Sequence, residues 1–218
     1  MNDETQINLD NVKSNDIKSI IISNKKSIII LILFILISFF AYFFYSDYKY
    51  EIKFQNSEKY NLAIINYEKD NPNKSITIMK NIINSKDPTY SPLALYFLID
   101  NQLLIKKEEI NKYFDILINK VDLDEEIKKL IIYKKGLFNS DTANEDELLE
   151  IFKPLINDES LWKSHALYVL AEYFFSKGEK QKSKEFFEKI LELKTSNPQI
   201  RIEAQKRLQR DFSVYNFF

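Results

Sequence analysis

Few side chains in this 218-residue chain could act together as acids, bases or nucleophiles. His165 is the only histidine, which disfavours both a multi-histidine metal site and a serine–histidine–aspartate site with a second histidine. Acidic residues cluster in "DLDEE" (122–126) and "NEDELLE" (144–150), and paired carboxylates could supply a general acid and a general base. Both clusters stand at predicted helix starts, where acids interact favourably with exposed backbone N–H groups. The sequence therefore predicts no catalytic residues, metal ligands or cofactor, and an enzyme is the least favoured class.

Composition narrows the classes of partner. Lys and Arg total 31 against 32 Asp and Glu, so no overall charge favours nucleic acid, and the lysine-rich runs alternate with acids. There is no cysteine, which excludes disulfides and thiolate chemistry. Two glycines in the whole chain disfavour a glycine-rich phosphate loop. We expect protein partners, with no nucleic acid and no small-molecule substrate.

A long apolar segment, "KKSIIILILFILISFFAYFFYSDYK", lies near the N-terminus. Ser27 to Tyr45 are 19 uncharged residues, which as a helix would extend roughly 28 Å, about the hydrocarbon thickness of a bilayer. A buried core helix is one alternative, and a cleaved signal peptide is another. A signal peptide usually has a shorter apolar region that ends in small residues, whereas this one ends in aromatic residues without an A-x-A site. The pattern predicts an uncleaved transmembrane signal anchor at residues 25–46.

The charges on either side of the anchor predict its orientation. Lys25 and Lys26 directly precede the apolar run, and Asp47 is the first charge after it. Positive flanking charges favour the cytoplasmic side. We expect residues 1–24 to form a polar cytoplasmic tail, residues 47–212 a domain on the opposite side of the membrane, and residues 213–218 a C-terminal tail.

Beyond the anchor the apolar residues recur every three or four positions, which predicts an all-α domain. "ALYVL" at 166–170 is matched by "ALYFL" at 94–98, about two tetratricopeptide periods of 34 residues earlier. Gly178 would be the turn of one helical hairpin, and Lys106 stands in its place in the earlier copy. The expected packing residues of the later hairpin are Leu167, Leu170, Ala171, Phe174, Ser183, Phe187 and Ile190. The predicted architecture is a tetratricopeptide-like solenoid of helical hairpins.

The first helices of such hairpins usually line the concave, partner-binding side of a solenoid. On that register the groove residues are His165, Tyr168, Glu172 and Phe175, with Leu93, Tyr96, Asp100 and Leu103 in the earlier copy. A tyrosine followed four residues later by an acid thus recurs. An ordinary helix surface explains this recurrence equally well.

The order of parts over residues 25–212, with the generic repeat "LWKSHALYVLAEYFFSKGEKQKSKEFFEKIL", resembles the bacterial YfgM family. The resemblance implies a single-pass protein of the bacterial inner membrane with a cytoplasmic N-terminus and a periplasmic domain. It also implies association with the SecYEG translocon and periplasmic chaperones. The alternative is a scaffold for envelope assembly or cell division with the same repeat fold.

Overall fold

The computed structural model describes residues 24–104 and 106–212. Residues 1–23 of the predicted N-terminal tail (1–24) and the whole predicted C-terminal tail (213–218) lie outside the described residues. Within the described ranges the chain is all-α, with nine helices and no strand. The helices are α1 (Lys25–Glu68), α2 (Pro72–Ser85), α3 (Tyr90–Asp100), α4 (Lys107–Lys120), α5 (Glu125–Asn139), α6 (Glu145–Ile156), α7 (Lys163–Ser176), α8 (Lys180–Glu192) and α9 (Pro198–Phe212).

Helix α1 contains the apolar segment, and the first of two compact units ends within it at Phe54. The large apolar side chains from Ile29 to Tyr45 are all 49–72% exposed. Among the described residues α1 is the one helix long and apolar enough to cross a membrane. The helix continues beyond residue 46, where the sequence predicts the anchor to end.

The second unit begins at Gln55, and its helices pack mainly on their neighbours in the chain. Within residues 72–212 each helix packs on the next, and α2 with α4, α5 with α7, and α7 with α9 also contact. The last turns of α1 join this unit through Tyr60, whose ring lies 5.9 Å from that of Tyr90 and 6.3 Å from that of Phe97. Contacts limited to near neighbours are typical of a stacked array of hairpins.

Four helices share one burial pattern, in which positions i, i+4 and i+7 are at most 4% exposed. This spacing places the three side chains on one helix face. The triplets are Ser75, Met79 and Ile82 on α2; Ile110, Phe114 and Leu117 on α4; Leu148, Phe152 and Leu155 on α6; and Ser183, Phe187 and Ile190 on α8. Successive triplets are about 35 to 38 residues apart. All seven packing residues expected for the later hairpin are buried, as predicted.

Helices α5 and α6 pack closely at Gly136, which the sequence patterns do not predict as a packing residue. A Cβ atom at Gly136 would lie 2.2 Å from Cζ of Phe152, inside any possible contact distance. Ala171, which is 35 residues later on α7, is also fully buried. A small buried residue therefore recurs on the first helix of two successive hairpins.

The two matched hairpins differ at their turns. Gly178 adopts the left-handed conformation with φ of 79°, as expected for the turn between α7 and α8. In the earlier copy the left-handed residue is Gln102, with φ of 54°, and not Lys106. Helix α3 ends at Asp100, so Leu103 lies in the turn. The predicted groove residue Leu103 therefore lies beyond the helix that carries Tyr96 and Asp100.

A candidate partner-binding groove

An open groove of about 620 Å³ crosses three helices of the second unit. Its lining residues are Tyr133 and Leu137 of α5 with the adjacent Ser140 and Asp141; Tyr168, Val169, Glu172, Tyr173 and Ser176 of α7 with the adjacent Lys177; and Ile200 of α9. Of the eight residues predicted for a binding groove, Tyr168 and Glu172 line this one. We call it the α5/α7/α9 groove.

Tyr168 connects the groove wall to the core. Its ring lies 5.5 Å from that of Phe187 in an edge-to-face contact, so one side of the tyrosine is packed against a fully buried residue. Burial, followed by the nearby Glu172 carboxylate, raises the pKa of Tyr168 to about 12. The hydroxyl therefore stays protonated at neutral pH and remains able to donate a hydrogen bond.

Glu172 is held by the last helix. Nε of Arg207 lies 2.7 Å from Oε1 of Glu172, and Nη2 lies 2.9 Å from Oε2, which is a two-point contact. The same guanidinium lies over the ring of Phe175, 4.4 Å from its centroid. Phe175 also meets the ring of Phe212 at 5.9 Å. Glu172 and Phe175 thus fasten α9 to α7, and Phe175 does not line the groove.

The structure places His165 outside the α5/α7/α9 groove. Its ring lies 5.3 Å from that of Trp162 and 5.7 Å from that of Tyr133. It lines a separate concavity of about 420 Å³ with residues of the α8–α9 connection, including Ser196 and Asn197. Burial lowers the pKa of His165, so the imidazole is neutral at pH 7. The aromatic packing favours a structural role for this histidine.

The earlier copy of the predicted groove residues lies on another part of the array, because the α5/α7/α9 groove includes nothing from α3. Leu93 and Asp100 are exposed, whereas Tyr96 is half-buried against the core, with Lys134 of α5 over its ring at 5.6 Å. Burial, with a smaller contribution from Asp100, raises the pKa of Tyr96 to about 12. Tyr96 and Tyr168 are therefore similar in burial and in raised pKa, but the two copies do not share one site.

Sequence reasoning missed the contributions of α5 and α9 to the groove. Tyr133 stands 35 residues before Tyr168, and Ile200 stands 35 residues after His165. A tyrosine thus recurs at positions 96, 133 and 168, once in each of three successive hairpins. This recurring spacing of tyrosines could have identified Tyr133 as a groove residue. Residues 125–156 match the other copies only weakly, which obscured the spacing.

The described residues offer little that could hold a metal. Among them, no group of three or more His, Asp or Glu side chains is placed to bind an ion. The chain matches no protein-family model, no curated protein and no solved structure. The features of the described residues that bear on function are the repeated burial pattern, the groove and the apolar segment of α1.

Proposed function

We propose that this protein is a membrane-anchored scaffold whose tetratricopeptide-like domain captures protein partners in the α5/α7/α9 groove. The observation that carries the proposal is the fourfold buried triplet with its spacing of about 35 to 38 residues. The tetratricopeptide period is 34 residues, and arrays of that class present the first helix of each hairpin on a concave binding side. In this chain α5, α7 and α9 are the helices that line the groove.

Helix α1 supports the anchor. A helix that is apolar on every face needs either a protein neighbour or a lipid environment. From Ile29 to Tyr45 its large side chains have no covering protein, and Lys25 and Lys26 flank its N-terminal end. We assign the N-terminus to the cytoplasm, and from the YfgM resemblance we assign the repeat domain to the periplasm of a bacterium.

The groove chemistry suits a peptide segment or a partner helix. Tyr133 and Tyr168 offer flat apolar surfaces with polar ends, Leu137 is 45% exposed, and Asp141 adds a negative charge at the rim. Tyrosine-rich surfaces with a few polar groups are typical of protein interfaces. On the YfgM resemblance, the partners are subunits of the SecYEG translocon and periplasmic chaperones.

Affinity purification of the full chain in mild detergent, with two matched lysine substitutions, tests this proposal. Leu137→Lys places a charge in the groove, whereas Leu161→Lys changes an equally large exposed leucine outside it. We expect Leu137→Lys to lower recovery of translocon and chaperone subunits about tenfold, which corresponds to about 1.4 kcal/mol. Leu161→Lys should recover them normally, and both variants should melt like the parent chain.

Two outcomes would contradict parts of the proposal. Normal recovery with Leu137→Lys would exclude the α5/α7/α9 groove as the binding surface. Recovery of envelope-assembly or division proteins alone, from the parent chain, would reject the translocon and chaperones as partners and support the alternative scaffold function.

A further inference from the structure

We propose that the C-terminal segment of this chain, residues 213–218 or "SVYNFF", docks in the α5/α7/α9 groove and occupies it until a partner displaces it. The docking is a property of the chain alone. The competition with a partner rests on the proposed function. The segment would thereby keep the apolar groove covered in the absence of a partner.

The first support is the place where the chain leaves α9. Phe212 is the last described residue, and its ring lies 5.9 Å from that of Phe175 and 6.1 Å from that of Phe187. Arg207 fixes this end of α9, since it pairs with Asp211 as well as lying over Phe175. Phe175 immediately precedes Ser176, which lines the groove. The described part of the chain therefore ends close to one end of the groove.

The second support is the length of the segment. Six extended residues span roughly 20 Å, at about 3.3 to 3.6 Å per residue. Tyr168 lies seven residues before Phe175 on the same helix, about 10 Å along its axis. Packed helices are about 8 to 10 Å apart, so Leu137 on α5 lies within the same range. The segment is long enough to turn back and cover both walls of the groove.

The third support is chemical. Val214, Tyr215, Phe217 and Phe218 are four of the six residues in the segment, which has no charged side chain. The groove presents the exposed face of Leu137 and the rings of Tyr133 and Tyr168. A volume of about 620 Å³ is suited to a few large side chains. Transfer of aromatic side chains from water into this groove is favourable, and none of the side chains in the segment carries a charge that would have to be desolvated.

Engineered cysteine pairs test the docking directly, because the full chain contains no cysteine of its own. In detergent micelles, Leu137→Cys with Phe217→Cys should form an intramolecular disulfide in most molecules under mild oxidation. Leu161→Cys with Phe217→Cys is the matched control, since Leu161 is 70% exposed but lines a different concavity. We expect disulfide in less than about a tenth of the control molecules, because a disulfide needs Cα atoms within about 7 Å.

Two results of this experiment would overturn the proposal. Equal yields from the two pairs would show that the segment has no preferred position. Disulfide-linked dimers from the groove pair would show that the segment docks on a second copy of the chain and not on its own groove.

A peptide measurement gives an independent test. A fluorescent SVYNFF peptide is titrated into the full chain and into a chain that stops at Phe212, both in micelles and both checked for unchanged thermal unfolding. A short tether gives an effective concentration of about 1 mM, so a peptide that binds the shortened chain with Kd near 100 µM should bind the full chain about tenfold more weakly. Equal affinities, or no binding to the shortened chain, would overturn the proposal.

Partner recovery then separates this inference from the proposed function. With both correct, the shortened chain should recover more partner than the full chain, and Leu137→Lys should abolish the gain. A disulfide in the groove pair together with normal partner recovery by Leu137→Lys would retain the docking and reject the groove as the partner site. Absence of the disulfide together with lost recovery by Leu137→Lys would reject the docking and retain the partner site.

Discussion

Two apolar runs of this chain have opposite environments. Residues 29–45 of α1 are almost wholly apolar, and every large side chain among them is about half exposed or more. In "ALYFL" of α3, by contrast, Ala94, Leu95 and Leu98 are completely buried by neighbouring helices. The difference shows that apolar character alone does not decide burial in protein, because α3 has helices on several sides and the apolar segment of α1 has none that cover it.

The same comparison separates two kinds of stabilisation. The second unit gains from close packing, in which even one added carbon at Gly136 would collide with a ring. The proposed anchor needs only a continuous apolar surface of sufficient length, because lipid chains adapt to its shape. Charge should therefore disrupt α1, whereas added volume should disrupt the hairpins.

The largest expected effect is on membrane association. Leu33→Arg with Ile35→Arg places two charges at the middle of the proposed span, where each costs about 2.5 to 3.5 kcal/mol. We expect the chain to move from the membrane fraction to the soluble fraction on centrifugation. Leu161→Arg, which changes an exposed leucine of the repeat domain, should leave the chain in the membrane fraction. Retention of the double variant would place the membrane attachment elsewhere.

The second prediction concerns the orientation of the proposed anchor in the membrane. A reporter enzyme that is active only outside the cytoplasm should be active when fused after Phe212 and inactive when fused at Asn24. The physical reason is the pair of lysines at the N-terminal end of the apolar run. The reverse pattern would invert the proposed topology, and a shortened, released chain would identify the segment as a cleaved signal.

Gly136→Ala should be the most damaging small change in the repeat domain. The new Cβ would collide with the ring of Phe152, which is fully buried, so we expect a loss of about 3 kcal/mol in the free energy of unfolding. Gly178→Ala is the control, since it meets no atom within 4 Å and carries only the strain of a positive φ, about 1 to 2 kcal/mol. Urea unfolding in detergent measures both, and a smaller loss at Gly136 would refute the close approach.

Ala171→Leu extends the same test to the next hairpin. Ala171 is completely buried beside Phe187, so we expect a loss of about 1 to 3 kcal/mol from overpacking. Lys184→Ala, which removes an exposed ion pair with Glu188, should change stability by less than about 0.5 kcal/mol. Similar melting temperatures for the two variants would mean that the α7–α8 interface can expand without cost.

The smallest expected effect is a pH dependence of stability that arises from Tyr96 and Tyr168. The pKa values of Tyr96 and Tyr168 are raised to about 12 in the folded chain against about 10 in the unfolded chain, so the folded state binds their protons more strongly. Their contribution is complete below pH 10 and is lost as the pH rises through 12. The melting temperature of the parent chain should fall more steeply over this interval than that of Tyr96→Phe with Tyr168→Phe. Parallel curves would show that these hydroxyls are solvated.

Local patterns predicted a large part of this structure. The all-α class follows from periodicity, the Asn144–Glu147 capping box is present with both of its hydrogen bonds, and Asn197 accepts the backbone N–H of Ile200 as a helix cap. Ser91 directly precedes Pro92, a pattern typical of a helix start, but its hydroxyl is buried and donates to the carbonyl of Ile82. Asp87 accepts the first N–H groups instead, a choice that depends on where α2 packs.

The sequence predicted individual residues of the candidate site but not the complete set. Tyr168 and Glu172 were identified from an internal match, but Arg207, which holds Glu172 and covers Phe175, came from a helix that the match did not include. Both predicted groove tyrosines also contribute to packing. Tyr168 touches Phe187, and Tyr96 packs against the buried cluster that includes Leu95 and Phe114.

The amino-acid sequence by itself determined the helices, the apolar segment and the small and large residues at each hairpin, because these depend on spacing along one chain. Only the tertiary structure decided that His165 packs in an aromatic cluster away from Tyr168, that α9 binds Glu172, and that Tyr133 completes the groove. Those outcomes depend on how far each helix is rotated and shifted against its neighbours. Such rotations are set by the collective packing of buried side chains such as Phe152 and Phe187, and no local pattern encodes them.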